Sequence, residues 1–121
     1  MPLRPAAALA KLRAICVALP EVTERPSHGI PAWFVGKQQF CVFSNDHHGD
    51  GRVALVCAAP DGVQAMLVDS DPDAYYRPPY VGAAGWIGVR LDRALTWSKI
   101  AALVESAHAT RASASRARRR R

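Results

Sequence analysis

Several kinds of protein are excluded by what the chain lacks. Its 121 residues contain no apolar run long enough to cross a bilayer, and the first residues carry no basic region, apolar block and cleavage site of a secretory leader. A soluble, cytoplasmic protein is therefore expected. Cysteine is scarce: Cys16, Cys41 and Cys57 cannot all pair with one another, form no C-x-x-C, and each lies among apolar neighbours. Reduced, buried thiols are the expectation. Also missing are G-x-x-x-x-G-K-[ST], G-x-S-x-G and any zinc or EF-hand ligand spacing. Gly82, Gly85 and Gly88 recur every third residue but lead into a strand pattern, not a helix, so they are no dinucleotide fingerprint. No catalytic residue, cofactor or metal is predicted.

Acid is absent from one end. Of the 16 Lys and Arg, six (Arg111, Arg116, Arg118, Arg119, Arg120 and Arg121) fall in 111–121, where there is no Asp or Glu. The 10 Lys and Arg that remain match the 10 Asp and Glu, so residues 1–110 are formally neutral and the net charge of +6 belongs to the tail. Such a tail either attracts phosphate without sequence preference, through counterion release that salt suppresses, or is a solubilising or tolerated extension.

What is present patterns into one domain over 1–110, followed by an Arg-rich segment, 111–121, expected to be disordered. Leu9, Leu12, Ile15, Cys16 and Leu19 recur at near-helical spacing and predict a first helix that Pro20 ends. The next segment holds Pro26 and Pro31 and cannot be regular helix or a central strand. Strands are predicted at 32–35, 38–44 and 52–58 as an antiparallel meander, with 45–51 a polar hairpin loop. Pro60-Asp61 should open a second helix with Val63, Met66 and Leu67 inward. A short strand is read at 74–77. Pro78-Pro79-Tyr80 then delivers an exposed-type aromatic onto a strand whose Trp86, Gly88, Arg90 and Asp92 share one face, with Ile87, Val89 and Leu91 on the other. Thr96 is a natural N-cap for a last helix with an apolar stripe of Trp97, Ile100, Leu103, Val104 and Ala107. The sum is an α+β domain, an antiparallel sheet with helices packed on one face.

Leu19-Pro20-Glu21-Val22-Thr23-Glu24, Pro26-Ser27-His28-Gly29, the strand pair around Trp33–Phe43, Pro79-Tyr80-Val81-Gly82, Gly85-Trp86-Ile87-Gly88-Val89 and the helix bearing Trp97 together resemble the MmcQ/YjbR family. The resemblance covers roughly residues 9–110. It implies a frataxin-like (CyaY-like) α+β fold, termed a double wing, and a DNA-binding role without catalysis.

Candidate residues follow from chemistry. For nucleic acid, the groups are Lys37, Arg52, Arg77 and Arg90, the tail arginines, and Tyr80 and Trp86 for stacking. Lys37 and Arg52 fall at strand ends, where a wing could reach phosphate. The alternative is a monomeric small-molecule or protein interaction domain with a pocket between the Ser27-His28 loop and the Tyr80 loop. A basic surface stripe would favour the first; a concave, partly apolar pocket would favour the second. Asp46-His47-His48-Gly49-Asp50 carries metal-ligand chemistry in kind, but an exposed loop is its default reading.

Overall fold

The structure is a computed structural model and describes residues 4–46, 49, 51–93 and 95–119. Among these the chain runs α1 (Pro5–Val17), β1 (Val22–Ser27), β2 (Ile30–Val35), β3 (Gln38–Asn45), β4 (Val53–Cys57), α2 (Val63–Ser70), β5 (Tyr75–Tyr76), β6 (Ile87–Arg90) and α3 (Trp97–Arg119). The six strands form one antiparallel sheet in the order β1-β2-β3-β4-β6-β5. This is the predicted α+β arrangement. Helices α1 and α3 lie on one face, α3 across β2, β3 and β4, and α1 against β1 and β3. No described helix is long and apolar enough to cross a membrane.

The helix-covered face is the core. Ala8, Leu12 and Cys16, one turn apart on α1, are fully buried, as are Ile100, Val104 and Ala107 on α3. They meet Leu55, Cys57, Ile87 and Val89 from the middle of the sheet. Thr96 caps α3 as expected, its hydroxyl accepting the Lys99 N–H at 3.2 Å. The proline-bearing segment 22–27 is a strand at the sheet's edge, where a residue without an N–H disturbs no ladder.

Two expectations are corrected. α2 starts at Val63, because Pro60-Asp61 form a turn closed by the Val63 N–H on the Pro60 carbonyl at 3.1 Å, with Gly62 in the left-handed region. The helix therefore rotates Met66 outward, to 59% exposure. The boundary at 110/111 falls inside α3. Ala112 is buried, and the Arg111 guanidinium donates to the Gln39 carbonyl (2.9 Å) and to Gln38 Oε1 (2.6 Å). These anchors hold the helix on β3 beyond residue 110. Arg116, Arg118 and Arg119 belong to α3, while Arg120 and Arg121 lie outside the described residues.

A bulge decides how the sheet is used. Trp33 faces Cys41 and Phe34 faces Gln39, so Phe40 is an extra residue on β3. Phe40 and Cys41 consequently both point at the helices, Phe40 meeting the His108 ring edge-on at 5.3 Å. Gln39, Val42 and Ser44 turn to the opposite face, which neither α1 nor α3 covers. One register row then crosses all the strands on that open face: Arg25, Ala32, Val42, Val56, Gly88 and Tyr76.

All three thiols are buried and free. Burial pushes Cys57 up to about 12, with the neighbouring Cys16 adding to it; burial first, then a hydrogen bond with Cys16 and the Cys16 and Cys57 charges, hold Cys41 well above its usual range. Thiolate is the reactive form. Native protein at pH 8 is therefore expected to resist Ellman's reagent at Cys41 and Cys57, all three cysteines reacting only in denaturant. Rapid native labelling of either would contradict this packing.

Candidate functional site

Two tight turns overlook the open face, and both hold a non-glycine residue at positive φ. In the first, Ser27 pairs with Ile30, which leaves His28-Gly29 as a two-residue hairpin loop with φ of 51° and 80°. Positive φ at both central positions is the signature of a type I′ turn, whose twist matches that of the strands it joins. The His28 side chain is exposed and makes no hydrogen bond with the described residues, so the backbone, not the imidazole, makes this turn. Asn-Gly is the preferred pair for such turns. His28→Asn is accordingly expected to stabilise the fold by about 0.5 kcal/mol, and His28→Val to cost about 1–2 kcal/mol through its β-branch at positive φ, both read from urea unfolding.

The second turn follows β5. Tyr80 has φ 64° and ψ −73°, and the Pro79 carbonyl accepts the Val81 N–H across it at 2.8 Å. That is the classic γ-turn, a rare and strained conformation. It leads into a single 3-10 turn, Val81–Ala84, fastened by Gln64, whose amide donates to the carbonyls of Gly82 (2.9 Å) and Trp86. Arg77 folds against Gly82 so closely that a Cβ there would sit 2.7 Å from its Cγ. The loop is thus pinned at its base, yet the Tyr80 ring is 88% exposed.

Between these turns the open face forms a cavity of about 660 Å³. Ile30, Val42 and Val56 supply an apolar floor, and Pro78, Pro79 and Val81 a wall. Ser27, Gln39, Ser44 and Arg52 bring polar groups, and the rings of His28, Tyr76 and Tyr80 border it. Tyr76 lies flat on Gly88: a Cβ on that glycine would be 2.3 Å from the ring's Cζ. The Arg52 guanidinium packs over the same ring, 4.1 Å from its centre. No carboxylate lines the cavity among the described residues.

The structure gathers part of the expected site and disperses the rest. Ser27, His28, Arg52 and Tyr80 converge on the cavity. Trp86 does not; it is buried, with the Arg111 guanidinium 5.9 Å from its ring. Lys37 is exposed in the turn at the far end of β2 from His28. Arg90 is held by both oxygens of Asp92 at 3.0 Å, and Arg111 is anchored on β3. Burial would raise Asp92, but Arg90, the Val53 N–H and Arg93 together outweigh it and keep the carboxyl low. Of the loop 46–50, His47, His48 and Asp50 lie outside the described residues, and Asp46 accepts the Gly51 N–H at 2.6 Å. Among the described residues no group of three His, Cys, Asp or Glu could hold a metal ion.

Gln39, Val42, Ser44, Val56 and Tyr76 were not singled out beforehand. Only the bulge at Phe40 puts Gln39 and Val42 on one face, and nothing in the local sequence marks it.

A comparison with protein-family models matches residues 17–110, from the end of α1 into α3, to the model described as YjbR. No curated protein and no solved structure matches the chain. The match takes in every strand of the sheet and both turns over the cavity, and the chain belongs to the YjbR family.

Proposed function

We propose that the protein is a binding module, not an enzyme, and that its ligand is a small molecule seated on the open face of the sheet between the His28 and Tyr80 turns. One observation carries this reading: a cavity of about 660 Å³ with an apolar floor and a few convergent polar groups, within the size range of small-molecule sites. Two of the four described non-glycine residues at positive φ, His28 and Tyr80, border that cavity. Strain of this kind persists where the surrounding fold over-determines it and concentrates at ligand sites. Ligand-observed NMR with a fragment collection tests the proposal, using Ile30→Trp to fill the floor. Hits on the wild-type chain that vanish in a cooperatively melting Ile30→Trp variant are expected; hits that persist would place binding elsewhere.

Nucleic acid is the second reading, and the observation favouring it is the acid-free, arginine-bearing end of α3, together with Lys37 and Arg52 at strand ends. Of the other candidate cations, Arg90 is paired with Asp92 and Arg111 is anchored on β3. Binding of this kind would be non-specific and steeply salt-dependent. Fluorescence anisotropy with a random-sequence duplex distinguishes the sources of affinity. Changing Arg116, Arg118, Arg119, Arg120 and Arg121 to glutamine should abolish low-salt binding if the helix end is the anchor. Affinity that survives both this change and physiological salt would make the folded domain a nucleic-acid reader.

A further inference from the structure

At the His28 end of the cavity a buried hydroxyl lacks a partner. Ser44 is 6% exposed, lines the cavity, and its Oγ makes no hydrogen bond with the described residues. Among those residues no wholly enclosed side-chain oxygen or nitrogen is left unpartnered, so this hydroxyl is not sealed in; it opens onto the cavity. A buried polar group of this kind is satisfied by water, or by a ligand that displaces the water and replaces its bond. Register places its neighbours. Two residues from the Ala32–Val42 pair, toward the His28 turn, Ile30 stands opposite Ser44, and Ile30 in turn faces Ser27. On its other side Ser44 pairs with Ala54, and Ala54 with Arg90, whose charge Asp92 takes. Two serines about 10 Å apart, two strand spacings, thus flank Ile30, and Val42 and Val56 continue the floor beyond them.

The charges in this lining are accounted for. Arg52 is already engaged, by the Tyr76 ring at 4.1 Å and by a further partner. His28 lies exposed at the rim, where solvent screens it. No carboxylate lines the cavity among the described residues. The groups left to receive a guest, the hydroxyls of Ser27 and Ser44 and the Gln39 amide, are neutral and can both donate and accept. A charged guest would give up its hydration over an apolar floor with no free counter-charge to replace it. We propose that the open-face cavity takes an uncharged, mainly apolar molecule whose one polar group, a carbonyl, amide or hydroxyl, hydrogen-bonds the Ser44 hydroxyl. This rests on the reading of the open face as the binding site, and deepens it.

Amide-shift titrations of the full chain with naphthamide, naphthoate and methylnaphthalene, three probes sharing one ring system, test the assignment. Naphthamide is expected to bind most tightly, and naphthoate more weakly by about tenfold or more. Ser44→Ala removes a hydroxyl but no hydrogen bond within the described fold, so its urea-unfolding midpoint should not fall below that of the wild type. The same change should weaken naphthamide about fivefold and leave methylnaphthalene unchanged. Naphthoate binding as tightly as naphthamide would overturn the uncharged assignment, and naphthamide affinity indifferent to Ser44→Ala would overturn the role given to Ser44. If hits from the fragment collection move open-face amides while none of these probes does, the assignment fails and the site stands. If neither moves them, the open-face reading fails and the assignment with it.

Discussion

Trp33→Ala is expected to be the most damaging single substitution, costing about 3–5 kcal/mol in urea unfolding, the range for truncating a large buried aromatic. Trp33 is the largest of the fully buried side chains, and it joins three elements rather than filling one gap. In the β1–β2 ladder it stands opposite Glu24. Its indole N–H donates to Glu24 Oε1 at 2.8 Å, and the same carboxylate takes the Arg13 Nε at 2.8 Å and Nη2 at 2.9 Å. Helix α1, the edge strand and the core are thereby tied at one point. Trp33→Phe keeps most of the apolar area but removes the donor, and should cost about 1–2 kcal/mol. Equal losses for the two variants would mean that the hydrogen bond, not the packing, dominates.

The same carboxylate sets an acid limit. Glu24 is held below its ordinary value, first by the Arg13 hydrogen bond, then against the opposing effect of burial with help from Trp33 and from the Arg13 charge. Because the folded state holds this proton more weakly than the unfolded chain, the unfolded state binds more protons in acid. The stabilisation is present at neutral pH and is lost as the pH falls below the unfolded glutamate value, about 4.3, and through the lower folded one. Glu24→Gln should flatten the fall in stability over that window. An unchanged acid slope would remove Glu24 from the account.

Gly88→Ala is expected to cost about 1–3 kcal/mol, as overpacking does, although it adds one methyl group. The new Cβ would lie 2.3 to 2.6 Å from the phenol end of Tyr76, so the ring must leave the sheet and swing into the cavity it borders. Binding on the open face should fall together with stability. In a Tyr76→Ala background most of the penalty for Gly88→Ala should vanish, because the two positions share one contact and their effects cannot add. Additive effects would place the cost elsewhere, in the strand backbone itself.

The sequence was legible wherever one residue type determines the local answer. Pro20 stops α1, Thr96 caps α3, and alternation from Ile87 to Arg90 produces β6. Pro26 sits in the edge strand β1, as expected, but Pro31 lies near the start of β2, an inner strand, where it stands opposite Pro26. The errors have a common physical origin in tertiary contacts that override local pattern. Arg- and Ser-rich sequence after His108 looks unable to bury anything, yet Ala112 packs and Arg111 finds two acceptors on β3, so the helix continues. Pro60-Asp61 suits a helix start, but Gly62 takes a left-handed conformation and shifts the start to Val63, which turns Met66 outward. As for the site, its two turns were visible as proline- and glycine-bearing segments. Its floor was not, because it depends on a bulge that places Val42 beside Gln39 on the face without α1 and α3. Trp86 was misplaced for the converse reason. It precedes β6, and its ring packs toward Arg111 instead of following the strand's alternation onto the open face.

The central claim, that the open face is where this protein binds its ligand, is tested most directly by mapping amide shifts of the full-length, ¹⁵N-labelled chain. Spectra would be compared with a hit from the fragment collection added and with a short DNA duplex added at physiological salt. The hit is expected to move the amides of Ala32, Val42, Val56, Gly88 and Tyr76, which form one row of the sheet, and those of the His28 and Tyr80 turns. The duplex is expected to leave that row unmoved. A duplex that shifts the row at physiological salt, while no fragment shifts it, would contradict the claim and make the sheet face a nucleic-acid surface.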